Sequence, residues 1–297
     1  MNKCDFSKSK KEPKVKLNIN KWIISELNTV SKLIEKNIND YRFDEAARNI
    51  YQFVWHSYCD WYVELSKTIL NSKEKSSISE VKQTLSYVFK QILILLHPFI
   101  PFITEELWLK NKLDKPKNYL MFANWSNKKA NKDKQIKEVE NIINLISQLR
   151  AFKNELNVSP GSFVDMSIST LSKNDQLFIK KNQTVLKKLG RINSFLDTDK
   201  DKASANLVIK GDIFKIYFDQ SIDLSLIKEN LLKRQQKYQS ELDGISKRLS
   251  NKSFVERAPK NIVDQEKNNY SNLKKDIDKI SITIKGCLLY TYTSPRD

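Results

Sequence analysis

The sequence predicts a mostly α protein with three parts: a helical bundle, a small α/β unit and an antiparallel coiled-coil hairpin. Apolar residues recur at three- and four-residue intervals along most of the chain, the spacing that gathers them on one helix face. Only 5 glycines and 7 prolines interrupt 297 residues, so turns are few and elements are long. From Leu224 onward the apolar positions follow the alternating three–four rhythm of a coiled-coil seam. With 40% apolar residues, the chain can fill a core.

Residues 1–17 are polar and lysine-rich, without periodicity, and suggest a leader or a severed linker. Residues 18–133 form the expected bundle and its closing linker. A first helix from Asn18 turns Trp22, Ile23, Leu27, Val30, Leu33 and Ile34 inward. A second, from about Asp44, is expected to bury Ala46, Ala47, Ile50, Phe53, Val54, Tyr58, Trp61 and Leu65, with His56 on the same buried-looking helix. Polar Asn71–Ser79 suggests a loop. A third helix from about Glu80 carries Val81, Leu85, Val88, Phe89, Ile92 and Leu96. It stops at His97-Pro98, because proline donates no backbone hydrogen bond and disfavours helix in the residue before it. Thr104 restarts a short helix bearing Leu107 and Trp108, and Asn111–Asp133 is expected to be a linker.

Residues 134–220 suggest the α/β unit. Val139, Ile142, Ile143, Ile146, Leu149 and Phe152 mark a helix ending near Asn157. Val164, Met166 and Ile168 alternate with polar residues, as in a strand. Leu177–Leu189 is a further helix. Leu207–Ile209 and Ile213–Phe218 flank Lys210-Gly211-Asp212 as a hairpin, with glycine where a positive φ is needed. Residues 221–285 pair two long helices, Ile227 to Leu249 and Val263 to Ile284, through a reversal at Pro259. The hairpin is expected to project, sharing little with the body. Residues 286–297 abandon the heptad and expose apolar side chains; they are expected to be a non-native tail.

The net charge of +17 creates a positive field that draws polyanions, nucleic acid first among them. Cys4, Cys59 and Cys287 are odd in number and far apart, which disfavours a disulfide framework or zinc site and fits a reducing cytoplasm. No apolar run reaches the roughly 18–20 residues that span a bilayer, so no membrane partner is expected. His56 and His97 suit structural roles better than catalytic ones. Glycine-rich phosphate loops, GxSxG and HExxH are absent. Glu105-Glu106 sits in a helix's first turn, where negative charge favourably meets the macrodipole. No catalytic residue, cofactor or metal is expected in the chain.

Five stretches carry a resemblance. Tyr41-Arg42-Phe43-Asp44-Glu45-Ala46-Ala47, Phe53-Val54-Trp55-His56-Ser57-Tyr58-Cys59-Asp60-Trp61-Tyr62-Val63-Glu64 and Leu95-Leu96-His97-Pro98-Phe99-Ile100-Pro101-Phe102-Ile103-Thr104-Glu105-Glu106-Leu107-Trp108 together resemble the anticodon-binding helical domain of class I aminoacyl-tRNA synthetases. Arg150-Ala151-Phe152-Lys153-Asn154-Glu155-Leu156-Asn157-Val158-Ser159-Pro160-Gly161 is similar to the opening of the next subdomain in the valine–tRNA ligase family. Arg248-Leu249-Ser250-Asn251-Lys252-Ser253-Phe254-Val255-Glu256-Arg257-Ala258-Pro259-Lys260-Asn261-Ile262-Val263 resembles the turn of that family's C-terminal coiled-coil arm.

The resemblance implies ATP-dependent attachment of valine to its tRNA by a complete, monomeric, cytoplasmic enzyme. The family's catalytic signatures and editing domain are absent from this chain, so ATP would belong to the parent's catalytic domain and this portion alone would be inactive. Its implied partner is tRNA, the valine-specific one. Lys21, Arg42, Arg150, Lys153, Arg234, Lys237, Lys247, Arg248, Lys252, Arg257 and Lys260 are the candidate tRNA-binding residues. Two other readings stand beside this one: a stand-alone coiled-coil interaction protein with a helical body, and the equivalent part of an isoleucine or leucine enzyme.

Overall fold

The computed structural model describes residues 12–113, 118–125, 134–198, 204–209, 212–218, 224–251, 253 and 259–288. The fold is mostly helical with one small sheet, as the periodicity predicts. It forms two compact units that divide between Asn144 and Leu145. That division falls inside a helix, α6 (Lys134–Glu155), rather than at the expected boundary near residue 133.

The first unit contains α1 (Asn18–Asn39), α2 (Phe43–Gln52), α3 (Glu64–Leu70), α4 (Lys75–Leu96) and α5 (Pro101–Lys110). Trp22, Ile23, Leu27 and Ile34 of α1 are buried, as are Val81, Leu85, Val88 and Ile92 of α4. The chain is ordered before α1: the Glu80 carboxylate accepts hydrogen bonds from the Lys16 and Leu17 backbone amides and from Asn20 Nδ2, each at 2.9 Å. Lys16 and Leu17 are therefore tied to α4. The expected loop at Asn71–Ser79 is shorter, because α4 begins at Lys75.

Between α2 and α3 the chain continues as an 11-residue π-helix, Phe53–Val63, with wider i→i+5 bonding. Its buried side chains, Phe53 and Tyr62, lie nine residues apart, close to two such turns. An α-helical phase mispredicts this stretch. Val54, Tyr58 and Trp61, expected inside, are only half-buried, and His56 faces solvent, 3.3 Å from Asp60. In α2 before it, Ala47 was also expected inside and is exposed. Tyr62 seals the core by donating its hydroxyl to Asn20 Oδ1 at 2.7 Å.

Part of the expected linker after Asn111 also enters the core. Leu113 and Leu120 are buried against Leu93, Ile94 and Trp108. Trp108 Nε1 donates to the Asn118 carbonyl at 3.0 Å, and Lys90 donates to the Leu113 carbonyl at 3.0 Å. Glu105 receives the Leu120 amide, and His97 Nδ1 meets Thr104 Oγ1 at 2.8 Å, so both act as structural groups.

The second unit is built on a four-stranded sheet of β1 (Val164–Ser167), β2 (Ile192–Leu196), β3 (Ser204–Ile209) and β4 (Asp212–Tyr217), in the order β2-β1-β4-β3. α7 (Lys173–Gly190) joins β1 to its parallel neighbour β2, a strand the alternation had not revealed. The other pairings are antiparallel. The expected glycine turn at residues 210–211 lies outside the described residues. α8 (Leu224–Ser250) and α9 (Lys260–Leu288) run antiparallel: Gln235 donates to Ser281 Oγ at 2.8 Å, and Arg248 reaches Glu266 at 3.1 Å. Their seam buries Leu231, Leu242, Ile245, Val263, Ile280 and Ile284. The hairpin is not independent of its unit. α9 packs along β3, and Thr283 Oγ1 donates to the Asn206 carbonyl at 3.3 Å. Of the expected tail, Gly286–Leu288 continue α9 and the rest lies outside the described residues.

Among the described residues, four other than glycine adopt positive φ, each just past a helix: Tyr41, Lys112, Asn157 and Arg191, after α1, α5, α6 and α7. At the first three, the next amide bonds back five residues, to Asn37, Trp108 and Lys153, closing a Schellman turn. Gly190, the last residue of α7, is buried, and a Cβ there would stand 3.2 Å from Ile192 Cδ1.

Glu80→Ala should cost about 1–3 kcal/mol, as three donors lose their acceptor; urea denaturation of the chain checks this. Ile245→Asp should cost about 2–5 kcal/mol in packing. Its effect should be local: faster hydrogen exchange in α8 and α9, with α1 and α4 unchanged.

Candidate nucleic-acid interface

The candidate cations divide by how far each is committed to other protein groups. Lys153 is almost fully buried; its ammonium donates to the Ser162 carbonyl at 2.8 Å and the Gly190 carbonyl at 3.2 Å. Burial, then the charges of Arg191 and Arg150, push its pKa down to about 8. It is a structural clamp joining the end of α6 to the turn before β1 and the end of α7, and it does not face the solvent from which RNA would bind, contrary to the expectation for this residue. Arg234 is likewise half-buried. Its Nε and Nη2 donate to Tyr238 Oη at 3.1 and 2.9 Å in a small pocket shared with Glu155 and Asp276. The Tyr238 hydroxyl makes its guanidinium hold its proton more firmly.

The rest of the set is more accessible. Lys21 is half-buried and donates to Gln135. Arg42 is exposed and pairs with Glu45. Arg150 is exposed and donates to the Leu189 carbonyl at 3.2 Å. Lys237 and Lys247 are exposed on α8, and exposed Arg248 makes a two-point bond to Glu266 across the arm. Lys260 is the first residue of α9; Lys252 and Arg257 lie outside the described residues.

Sequence reasoning missed a second class of group, the solvent-facing aromatics. Tyr51 and Trp55 are 60% and 54% exposed and stack with planes 5° apart and centroids 6.3 Å apart. Tyr41 and Phe43 are exposed and meet edge to face, also at 6.3 Å. Phe102, at 91%, is almost entirely in water. Arg48 stands three residues before Tyr51 on α2, and residues three apart are neighbours on a helix surface. The signal was present: Tyr51 and Trp55 are four residues apart and off the apolar stripe of Ala46 and Ile50. Such rings next to cations can hold unpaired bases while phosphates are neutralised nearby.

A family model described as the anticodon-binding domain of tRNA ligases matches residues 20–168. The chain belongs to this family. A second, described as the valyl-tRNA synthetase tRNA-binding arm, matches residues 223–285, the segment that forms α8 and α9. Among relatives, the valine–tRNA ligase of Pelagibacter ubique is 60% identical over 96% of this chain and 33% of its own length. That of Zymomonas mobilis is 33% identical over 96% of this chain and 33% of its own length. That of Ruegeria pomeroyi is 34% identical over 84% and 25%. The chain thus spans about a third of the length of the first curated relatives it matches. Within the anticodon-binding match lie both aromatic pairs and Phe102. No helix among the described residues is long and apolar enough to cross a membrane.

Lys153→Met should destabilise the chain by about 1–3 kcal/mol, because two carbonyls lose their donor. Between about pH 8 and the ordinary lysine value of 10.5, the unfolded chain holds a proton that the folded one releases. Stability from this group therefore rises with pH across that window. Thermal melts from about pH 7 to 10 should show the parent gaining on Lys153→Met.

Proposed function

We propose that this chain is a tRNA-binding portion of a valine–tRNA ligase, the enzyme that joins valine to its tRNA using ATP. In this reading the chain supplies grip and no chemistry. ATP binding and bond formation belong to other parts of the parent, which acts as a cytoplasmic monomer, and the RNA bound is the valine-specific tRNA. The anticodon loop rests on the first unit, and α8 with α9 contacts a second part of the same molecule.

The stacked Tyr51–Trp55 pair carries the proposal. Two parallel rings left in water, beside Arg48 and within the anticodon-binding match, do not contribute to a core. They offer an apolar platform to an unstacked base, a contact worth about 1–3 kcal/mol for each base. The +17 charge supplies the accompanying attraction to phosphate.

The test is a filter-binding titration with a tRNA transcript. Affinity should fall by orders of magnitude between about 50 and 200 mM salt, as when several phosphates are neutralised. Trp55→Ala should weaken binding by about 1–3 kcal/mol with little change in salt slope. No binding that survives competitor RNA would favour the coiled-coil interaction reading instead.

A further inference from the structure

Most of the α/β unit lies between the two matched segments, and its surface carries a groove of its own. The groove opens between α7 and β2, has a volume of about 470 Å³, and is lined by Phe163, Gln183, Thr184, Lys187, Lys188 and Asn193. Among the described residues no carboxylate lines it. Phe163 is 53% exposed, and the Arg191 guanidinium lies 5.5 Å from its ring centroid. Arg191 takes up this position with φ at 54°, a conformation that an L side chain adopts at a cost and glycine adopts freely. Arg150 reaches the same end of α7 through its bond to the Leu189 carbonyl. Lysines in a helix's last turn are explained by its dipole. A solvent-facing aromatic ring capped by a strained arginine is not.

We propose that this groove is a further contact for bound tRNA. Lys187 and Lys188 neutralise backbone phosphates, and an unpaired base stacks on the platform made by Phe163 and Arg191. The lining favours a polynucleotide over a protein segment because it combines cations with an exposed ring and offers no acidic group to a basic partner. The inference rests on the tRNA-binding reading above and extends it to a surface whose lining, Phe163 apart, lies between the two matched segments.

The experiment uses the whole chain and a tRNA transcript, with three variants. Lys187→Ala/Lys188→Ala should lower affinity roughly tenfold or more and reduce the slope of log affinity against log salt by about 2, about one for each lost phosphate contact. Phe163→Ala should weaken binding about fivefold or more, with the slope unchanged. Arg191→Gly should weaken binding while the melting temperature holds or rises, because glycine relieves the left-handed residue; a purely structural arginine would show the reverse. If the parent binds tRNA and all three variants match it in affinity and slope, the groove proposal is overturned alone. A parent that fails to bind tRNA overturns the wider reading and the groove with it. Losses that only track a fall in folded fraction also count against the groove.

Discussion

A chain with so few glycines must end its helices on residues that have side chains, and much of the fold depends on how it does so. Tyr41, Lys112, Asn157 and Arg191 each take the left-handed conformation that reverses the chain after a helix. The strain is about 1–2 kcal/mol per residue in the least favourable case, and the surrounding bonds and packing must offset it. They do so visibly. Leu113, just past Lys112, is buried against Trp108, and Val158, just past Asn157, is buried as well. A hydrophobic contact next to the reversal is what keeps a Schellman turn closed. Two of these residues also project exposed side chains that meet a ring. Tyr41 stands in water against Phe43, and Arg191 covers Phe163.

The positive charge is less uniform than its total suggests. Lys153 faces inward and is held by two carbonyls, and Arg234 is tied to Tyr238. Both are engaged within the second unit, Lys153 buried and Arg234 half-buried. Burial explains the assignment: a charge removed from water must find oxygen partners nearby, and once it has them it is committed. Lys188, Lys237 and Lys247 are exposed, and Lys187 is half-buried. Counting lysines and arginines measures the field but does not identify the contacts.

Within the second unit the coiled coil grows out of the sheet. The contact of α9 with β3 fixes the root of the hairpin, and Gln235–Ser281 with Arg248–Glu266 keeps its two helices in register. A long antiparallel pair anchored only at its base would splay; polar bonds across the seam specify one alignment where an apolar stripe alone tolerates several. The α/β unit is therefore the arm's foundation as well as the site of the groove.

Periodicity by itself determined the helical class of this protein, the positions of α1, α4 and α6, the strand β1 and the pairing of α8 with α9, because a repeated apolar spacing has few solutions in water. The motif stretches also pointed to the valine–tRNA ligase family. Tertiary structure decided the rest. It placed Leu113 and Leu120 in a core although their segment has no periodicity, and it revealed β2, whose sequence Ile192–Leu196 alternates too weakly to announce a strand. It widened Phe53–Val63 into a π-helix, which turned His56 outward against the α-helical expectation. It also separated Lys153, buried, from Arg150, exposed, three residues away in the same quoted motif. Local sequence carries the spacing of side chains along one element. Which of them meets water depends on what the other elements bring to that face, and only the folded chain supplies that.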